Sequence, residues 1–197
     1  MSDLQRKLKD KELILGSSSP RRKQLLREMD LNFIVESSFS KGEESFPQSL
    51  KDEEVAEFLA KQKSLSFKKE LLPNQILITA DTIVIVDSQI IGKPKDLEQA
   101  SKMLHSLSGK THKVITGVAL RDSTHIVTFS DLSKVKFSPL STSVIEYYIQ
   151  KYKPLDKAGA YGIQEWIGAI GIERIEGSYY NIMGLPTSKL YHELLDF

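Results

Sequence analysis

The segment that most narrows the folds open to this chain is Leu13-Ile14-Leu15-Gly16-Ser17-Ser18-Ser19-Pro20-Arg21-Arg22. The apolar run closed by glycine reads as a short buried strand. Serine followed by proline reads as a helix start. Ser19 suits the N-cap, and proline is favoured at the first helical position because its missing N–H leaves nothing unpaired there. A strand passing directly into a helix is the repeating unit of an α/β sheet. The same turn gathers three hydroxyls and two guanidinium groups at a helix N-terminus, where backbone N–H groups and the positive end of the helix dipole favour an anion. Two readings are open from these residues alone: a polyphosphate cradle, or a capped turn with solvated arginines.

The rest of the chain continues the alternation. Residues 20–29 form a helix with Leu25, Leu26 and Met29 inward, and residues 32–35 a second strand. A polar loop over 36–52 is long enough to carry function. The following helix places Val55, Phe58, Leu59, Gln62 and Leu65 at helical spacing. Residues 76–80 form a buried strand that runs into Asp81. Residues 83–86 and Ile90-Ile91 flank Asp87-Ser88-Gln89 as a hairpin. Asp96 caps a helix carrying Ala100, Met103, Leu104 and Leu107, and Gly109 ends it. Long strands over 112–121 and 124–137 come next, then a helix capped by Ser141 or Ser143 with Ile145, Tyr148 and Ile149. A glycine-rich segment over 157–171, a strand near 170–175 and a helix after Pro186 complete the chain. Hairpins and βα units together specify an α/β fold with a mixed sheet.

Composition restricts the functional classes. Lys+Arg number 27 and Asp+Glu 26, a net charge of +1, so no global field draws the chain to nucleic acid or membrane. An anionic ligand must be captured by a local cluster. The absence of cysteine excludes disulfides, thiolate metal sites and a cysteine nucleophile. Residues 1–11 are charged and lack the apolar core of a secretory signal, and no apolar run reaches membrane-spanning length. The expectation is a cytoplasmic protein of one domain over 1–197, with 1–11 as a polar extension.

Asp81, at the end of its strand, lies where α/β sheets tend to bind ligands. Lys93, following the hairpin, reads as a residue folded back beside it. Such a pair can hold a divalent cation and a phosphate, or be a turn carboxylate and a surface lysine. Glu43 and Glu44 in the polar loop are candidate oxygen ligands to the same cation. Ser108-Gly109-Lys110-Thr111 is not a P-loop: Leu104 stands where the motif needs glycine, and the helix precedes the motif. The four histidines show no paired metal spacing. In the segment 153–164, Gln164 can hydrogen-bond a base edge, since an amide both donates and accepts. Trp166, the single tryptophan, reads as a packing residue.

In order along the chain stand Ser-x-Ser-Pro-Arg-Arg, Ala-Asp-Thr, Gly-Lys-Pro, Leu-Ser-Gly-Lys-Thr-His, Thr-Gly-Val, Pro-Leu-Asp-Lys-Ala-Gly-Ala-Tyr-Gly-Ile-Gln and Gly-Leu-Pro. Together they resemble the Maf family of nucleoside triphosphate pyrophosphatases, from Leu13 to about Leu194. The resemblance implies an elongated mixed sheet flanked by helices, with two lobes around a central cleft, similar to inosine triphosphatases. It places Ser17, Arg21, Arg22, Lys63 and Lys93 at the triphosphate and makes Asp81 the principal catalytic carboxylate. Asp81 and Glu44, or Glu43 one register away, would hold Mg²⁺ or Mn²⁺. Serine follows Lys63 where the family usually has alanine.

Within the family, Arg21, Thr82 and Gln164 resemble the branch that hydrolyses dTTP and UTP. The 7-methyl-GTP branch carries an aromatic residue at the first position and an acidic one at the last. A neutral amide suits a pyrimidine edge, whereas a carboxylate suits a cationic methylated guanine. Glu165-Trp166-Ile167 departs from the glycine-rich pattern usual after Gln164. The implied reaction splits the α–β anhydride to the nucleoside monophosphate and pyrophosphate, with Asp81 as metal ligand or as base for the attacking water. Nucleotide-pool sanitation, a role in division arrest and a homodimer are further implications of the resemblance. The alternatives are a 7-methyl-GTP pyrophosphatase or a nucleotide-sensing regulator of septum formation without catalysis.

Overall fold

The computed structural model describes residues 2–39 and 46–197. Its elements in chain order are α1 (Asp3–Lys7), β1 (Glu12–Leu15), α2 (Pro20–Glu28), β2 (Phe33–Val35), α3 (Asp52–Leu65), β3 (Gln75–Val86) and β4 (Gln89–Ile91). There follow α4 (Leu97–Leu107), β5 (Thr111–Arg121), β6 (Ile126–Phe137), α5 (Thr142–Tyr152), a 3₁₀ turn (Ala158–Ala160), α6 (Trp166–Gly171), β7 (Ile172–Glu176), α7 (Tyr179–Met183) and α8 (Thr187–Asp196). The strands pair in the order β2-β1-β3-β5-β6-β7, with β4 added to β3. Parallel pairing of β1 with β2 and β3, and antiparallel pairing of β3 with β4 and β6 with β7, make the sheet mixed.

The chain divides into two compact units. Unit one comprises Met1–Asp81, Thr116–Asp131 and Gly184–Phe197; unit two comprises Thr82–Ile115 and Leu132–Met183. In unit one, β1 is matched residue for residue with β3 from Glu12↔Gln75 to Leu15↔Ile78. Leu13, Leu15, Leu77 and Ile78 are buried, as the near-continuous apolar character of these strands requires. Ile14, Leu77 and Phe67 form one cluster, covered by Phe39 and Leu71. In unit two, β3 turns into β4 through Asp87 and Ser88, both at positive φ, the geometry of a two-residue hairpin. His112, Phe137 and Tyr161 pack there as an aromatic group with ring centroids 5.0–5.4 Å apart.

Three expectations are corrected. Residues 76–80 and 83–86 belong to one twelve-residue strand, so Asp81 lies inside β3 rather than at its carboxyl end. What ends there is the pairing with β1, which stops at Ile78. The inward face of α3 is Val55, Ala56, Leu59, Ala60 and Ser64, while Gln62 and Leu65 face solvent, Leu65 with 52% exposure. Within residues 1–11, α1 packs on α8, and its Leu4 keeps 1% of its surface. Ile170 belongs to α6, and β7 begins only at Ile172.

Candidate active site

The turn between β1 and α2 is built by its own hydroxyls. The Ser19 Oγ accepts from the Arg22 N–H as the helix cap, with Pro20 in the first turn. The Ser17 Oγ accepts from the Ser19 N–H at 3.2 Å and from Arg22 Nη1 at 3.4 Å. Arg22 Nε donates to the Gly184 carbonyl at 2.8 Å. The guanidinium is therefore gripped from two sides, by a serine five residues before it and a carbonyl 162 residues after it. Gly184 has φ +112°, a backbone state that side-chain-bearing residues avoid. The Gly-Leu-Pro motif thus positions Arg22, a role its sequence does not announce.

Asp81 reaches the same unit from β3. Side chains alternate along a strand, so Thr79 and Asp81 share a face, and both meet α3. The Thr79 hydroxyl donates to the Ala60 carbonyl at 2.8 Å, and one turn further Lys63 Nζ forms an ion pair with Asp81 Oδ1. Both partners are largely covered, with side-chain exposures of 29% for Lys63 and 14% for Asp81. The turn carrying Lys63 is braced in two places. Ser66 Oγ donates to the Lys63 carbonyl at 2.9 Å, and Arg121 Nη1 donates to the Ser64 carbonyl at 2.6 Å.

Charge links these groups. Burial pushes the Arg22 guanidinium below its ordinary pKa; the Asp81 carboxylate acts against that shift and Arg21 adds to it. An arginine remains protonated regardless. The arrangement is a half-buried cation whose fork is aimed by fixed acceptors, with a carboxylate–ammonium pair within its field. Such a set can bind phosphate oxygens and hold a carboxylate beside them.

Unit one thus brings together Ser17, Arg22, Lys63 and Asp81, with half-buried Arg21 beside Arg22 on α2. Thr82, Lys93 and Gln164 belong to unit two. Thr82 follows Asp81 on β3 and points to the opposite face of the strand. Lys93 is exposed just after β4, and Gln164 is exposed just before α6. Glu43 and Glu44 lie outside the described residues.

The structure is a mixed α/β sheet with a serine-capped, arginine-bearing helix start, whose Arg22 lies in the field of Asp81, itself paired with Lys63. The match that places it among known proteins spans residues 12–197, the model described as Maf-like protein, and the chain belongs to the Maf family. It is 48% identical to the dTTP/UTP pyrophosphatase of Porphyromonas gingivalis over 96% of each chain. It is also 48% identical to the protein of that name from Flavobacterium johnsoniae over 97% of each. A Bacteroides thetaiotaomicron protein of the same name is 47% identical over 93% of this chain and 94% of its own. Among solved structures, the fold is similar to the Staphylococcus aureus Ham1 protein, with TM-score 0.51 and 19% identity over 93% of this chain and all of that one.

Proposed function

We propose that the chain is a nucleoside triphosphate pyrophosphatase acting on dTTP and UTP, cleaving between the α- and β-phosphates to release the nucleoside monophosphate and pyrophosphate. The observation that carries the reading is the gripped Arg22 guanidinium in the field of the Asp81–Lys63 pair. Relatives that are nearly half identical along almost their whole length, and that bear the name dTTP/UTP pyrophosphatase, support the choice of substrate.

In this reading Arg22, Arg21 and the N–H groups opening α2 bind the phosphate oxygens. They offset the negative charge that grows on the departing pyrophosphate. Lys93 adds a further cation to the phosphates. Asp81 accepts the proton of the attacking water at its carboxylate, while Lys63 fixes the orientation of that carboxylate through Oδ1. Thr82 and Gln164 serve selection of the base.

The donor chemistry also fits Mg²⁺ or Mn²⁺. Asp81 offers hard oxygens, and among the described residues no group of three or more His, Asp or Glu side chains gathers. Hard oxygens of this kind would hold such an ion through one or two carboxylates. Asp81 and Glu44 would be its protein ligands, and the ion would stabilise charge on the phosphates.

The test is a panel of nucleoside triphosphates with added Mg²⁺ or Mn²⁺, monitored by pyrophosphate release. dTTP and UTP are expected to be turned over fastest, and Asp81→Asn is expected to lower kcat by about 100-fold or more. If no triphosphate yields pyrophosphate, the enzymatic reading fails. Preference for 7-methyl-GTP would overturn the substrate assignment alone.

A further inference from the structure

The departure from family pattern at Glu165 has a structural use. Both oxygens of its carboxylate are engaged inside unit two. Oε2 accepts from the hydroxyl of Tyr148, and Oε1 pairs with Lys157 Nζ at 3.0 Å. Tyr148 is fully buried on α5, and the Lys157 side chain keeps 9% of its surface while also holding Asp156 at 2.7 Å. The Tyr148 hydroxyl in turn accepts from the Gly162 N–H at 3.1 Å, and the Glu165 N–H donates to the Gly162 carbonyl at 3.0 Å. A Cβ on Gly162 would come within 2.8 Å of Glu165 Cδ, so the carboxylate would have to shift from its place against the backbone.

One carboxylate thereby ties together the start of the loop at Lys157, its bend at Gly162 and the buried face of α5. Gln164 lies between the anchors at 162 and 165 and stays exposed. Burial and the Glu165 carboxylate together push the Tyr148 hydroxyl far above its ordinary range, so it remains a donor. Nearby, His112 Nε2 and the Tyr161 hydroxyl lie 2.7 Å apart, which fixes the segment just before Gly162.

We infer that Glu165 is a positioning residue for substrate choice: clamped by Tyr148 and Lys157, it presents the Gln164 amide to a neutral base while its own carboxylate is held by partners within the loop and on α5. The inference rests on the pyrimidine-nucleotide reading and gives it a structural cause. A carboxylate released beside Gln164 would favour a cationic base, so the clamp also acts against 7-methylguanine.

The experiment compares Glu165→Gln and Tyr148→Phe with the wild-type chain. Tyr148→Phe keeps the buried ring, so it remains informative if the first variant folds poorly. Both are expected to raise KM for dTTP and UTP by about 5- to 20-fold with kcat within about twofold, because ground-state positioning is lost and chemistry is not. In Tyr148→Phe, which retains the charge, the ratio of dTTP to 7-methyl-GTP turnover is expected to fall as well. A second readout needs no turnover. Trp166, the single tryptophan, adjoins Glu165 and packs on Tyr147 with ring centroids 4.8 Å apart. Its emission is expected to shift to the red in both variants at temperatures well below unfolding. Unchanged emission, or an unchanged KM in a folded variant, overturns the positioning role. A wild-type chain that ignores dTTP and UTP overturns the function proposed above, while the emission result still judges the clamp.

Discussion

Arg22 and His112 show two opposite ways of keeping a basic side chain away from water. Arg22 stays charged, because the Ser17 hydroxyl and the Gly184 carbonyl accept its N–H groups and Asp81 supplies a negative field. His112 is buried with Nε2 against the Tyr161 hydroxyl, and among the described residues its Nδ1 finds no hydrogen-bond partner. A proton added there would sit unpaired in the interior, and burial brings the pKa down from 6.5 to about 4. The unfolded chain therefore binds this proton more readily than the folded one. The stability linked to His112 is present above pH 6.5 and is lost as pH falls from 6.5 towards 4, by roughly 3 kcal/mol. Thermal unfolding between pH 7 and 4 should show the decline in the wild type and a shallower one in His112→Gln, which cannot titrate. Equal slopes would remove His112 as the source. Local chemistry made some of this legible: the Ser19 and Asp96 caps follow from residues three positions apart. The grip of Gly184 on Arg22 was not legible, because its partners are joined only by the folded chain.

Among the elements, α3 explains how a helix face can be misread. Helical spacing suggests a face through Val55, Phe58, Leu59, Gln62 and Leu65; Val55 and Leu59 are on the buried stripe, but the rest of it is Ala56, Ala60 and Ser64. The small residues on that stripe let the helix lie against β5 so closely that a Cβ on Gly117 would overlap the backbone of Ala56. Size and hydrophobicity rank alanine low, so the contact that matters most carries the weakest signal. The same close approach puts Ala60 in reach of the Thr79 hydroxyl and Lys63 in reach of Asp81. Gly117→Ala should destabilise the protein by about 3 kcal/mol or more in urea unfolding, since the obstructing atoms are backbone and cannot swing aside. Gly92→Ala is the control. A Cβ there meets no atom within 4 Å, and its effect should stay within about 0.5 kcal/mol. Asp81 inside β3 is a second case. Two polar residues in an apolar run read as a strand end, but the strand continues and the carboxylate is aimed by its face of the sheet.

For the molecule as a whole, the near balance of 27 basic and 26 acidic residues makes recognition a local matter. The fold class was legible because alternating apolar periods are set by short stretches of chain. The resemblance implied two lobes, but the boundaries of the two units were not legible, since each is assembled from separated segments, and β3, β5 and β6 each cross from one to the other. Ligand binding at the head of α2 should therefore register in the stability of the chain. A ligand that binds only the folded state adds about 2.7 kcal/mol at a hundred times its Kd, which for a chain of this size raises Tm by about 5–10 °C. A dTTP analogue with a non-hydrolysable α–β linkage, added with Mg²⁺, should produce that rise in the wild-type chain. Arg22→Met, which keeps bulk but loses the charged fork, should abolish most of it at the same ligand concentration. An equal Tm rise in Arg22→Met and the wild type would place the phosphates elsewhere, and with them the site itself.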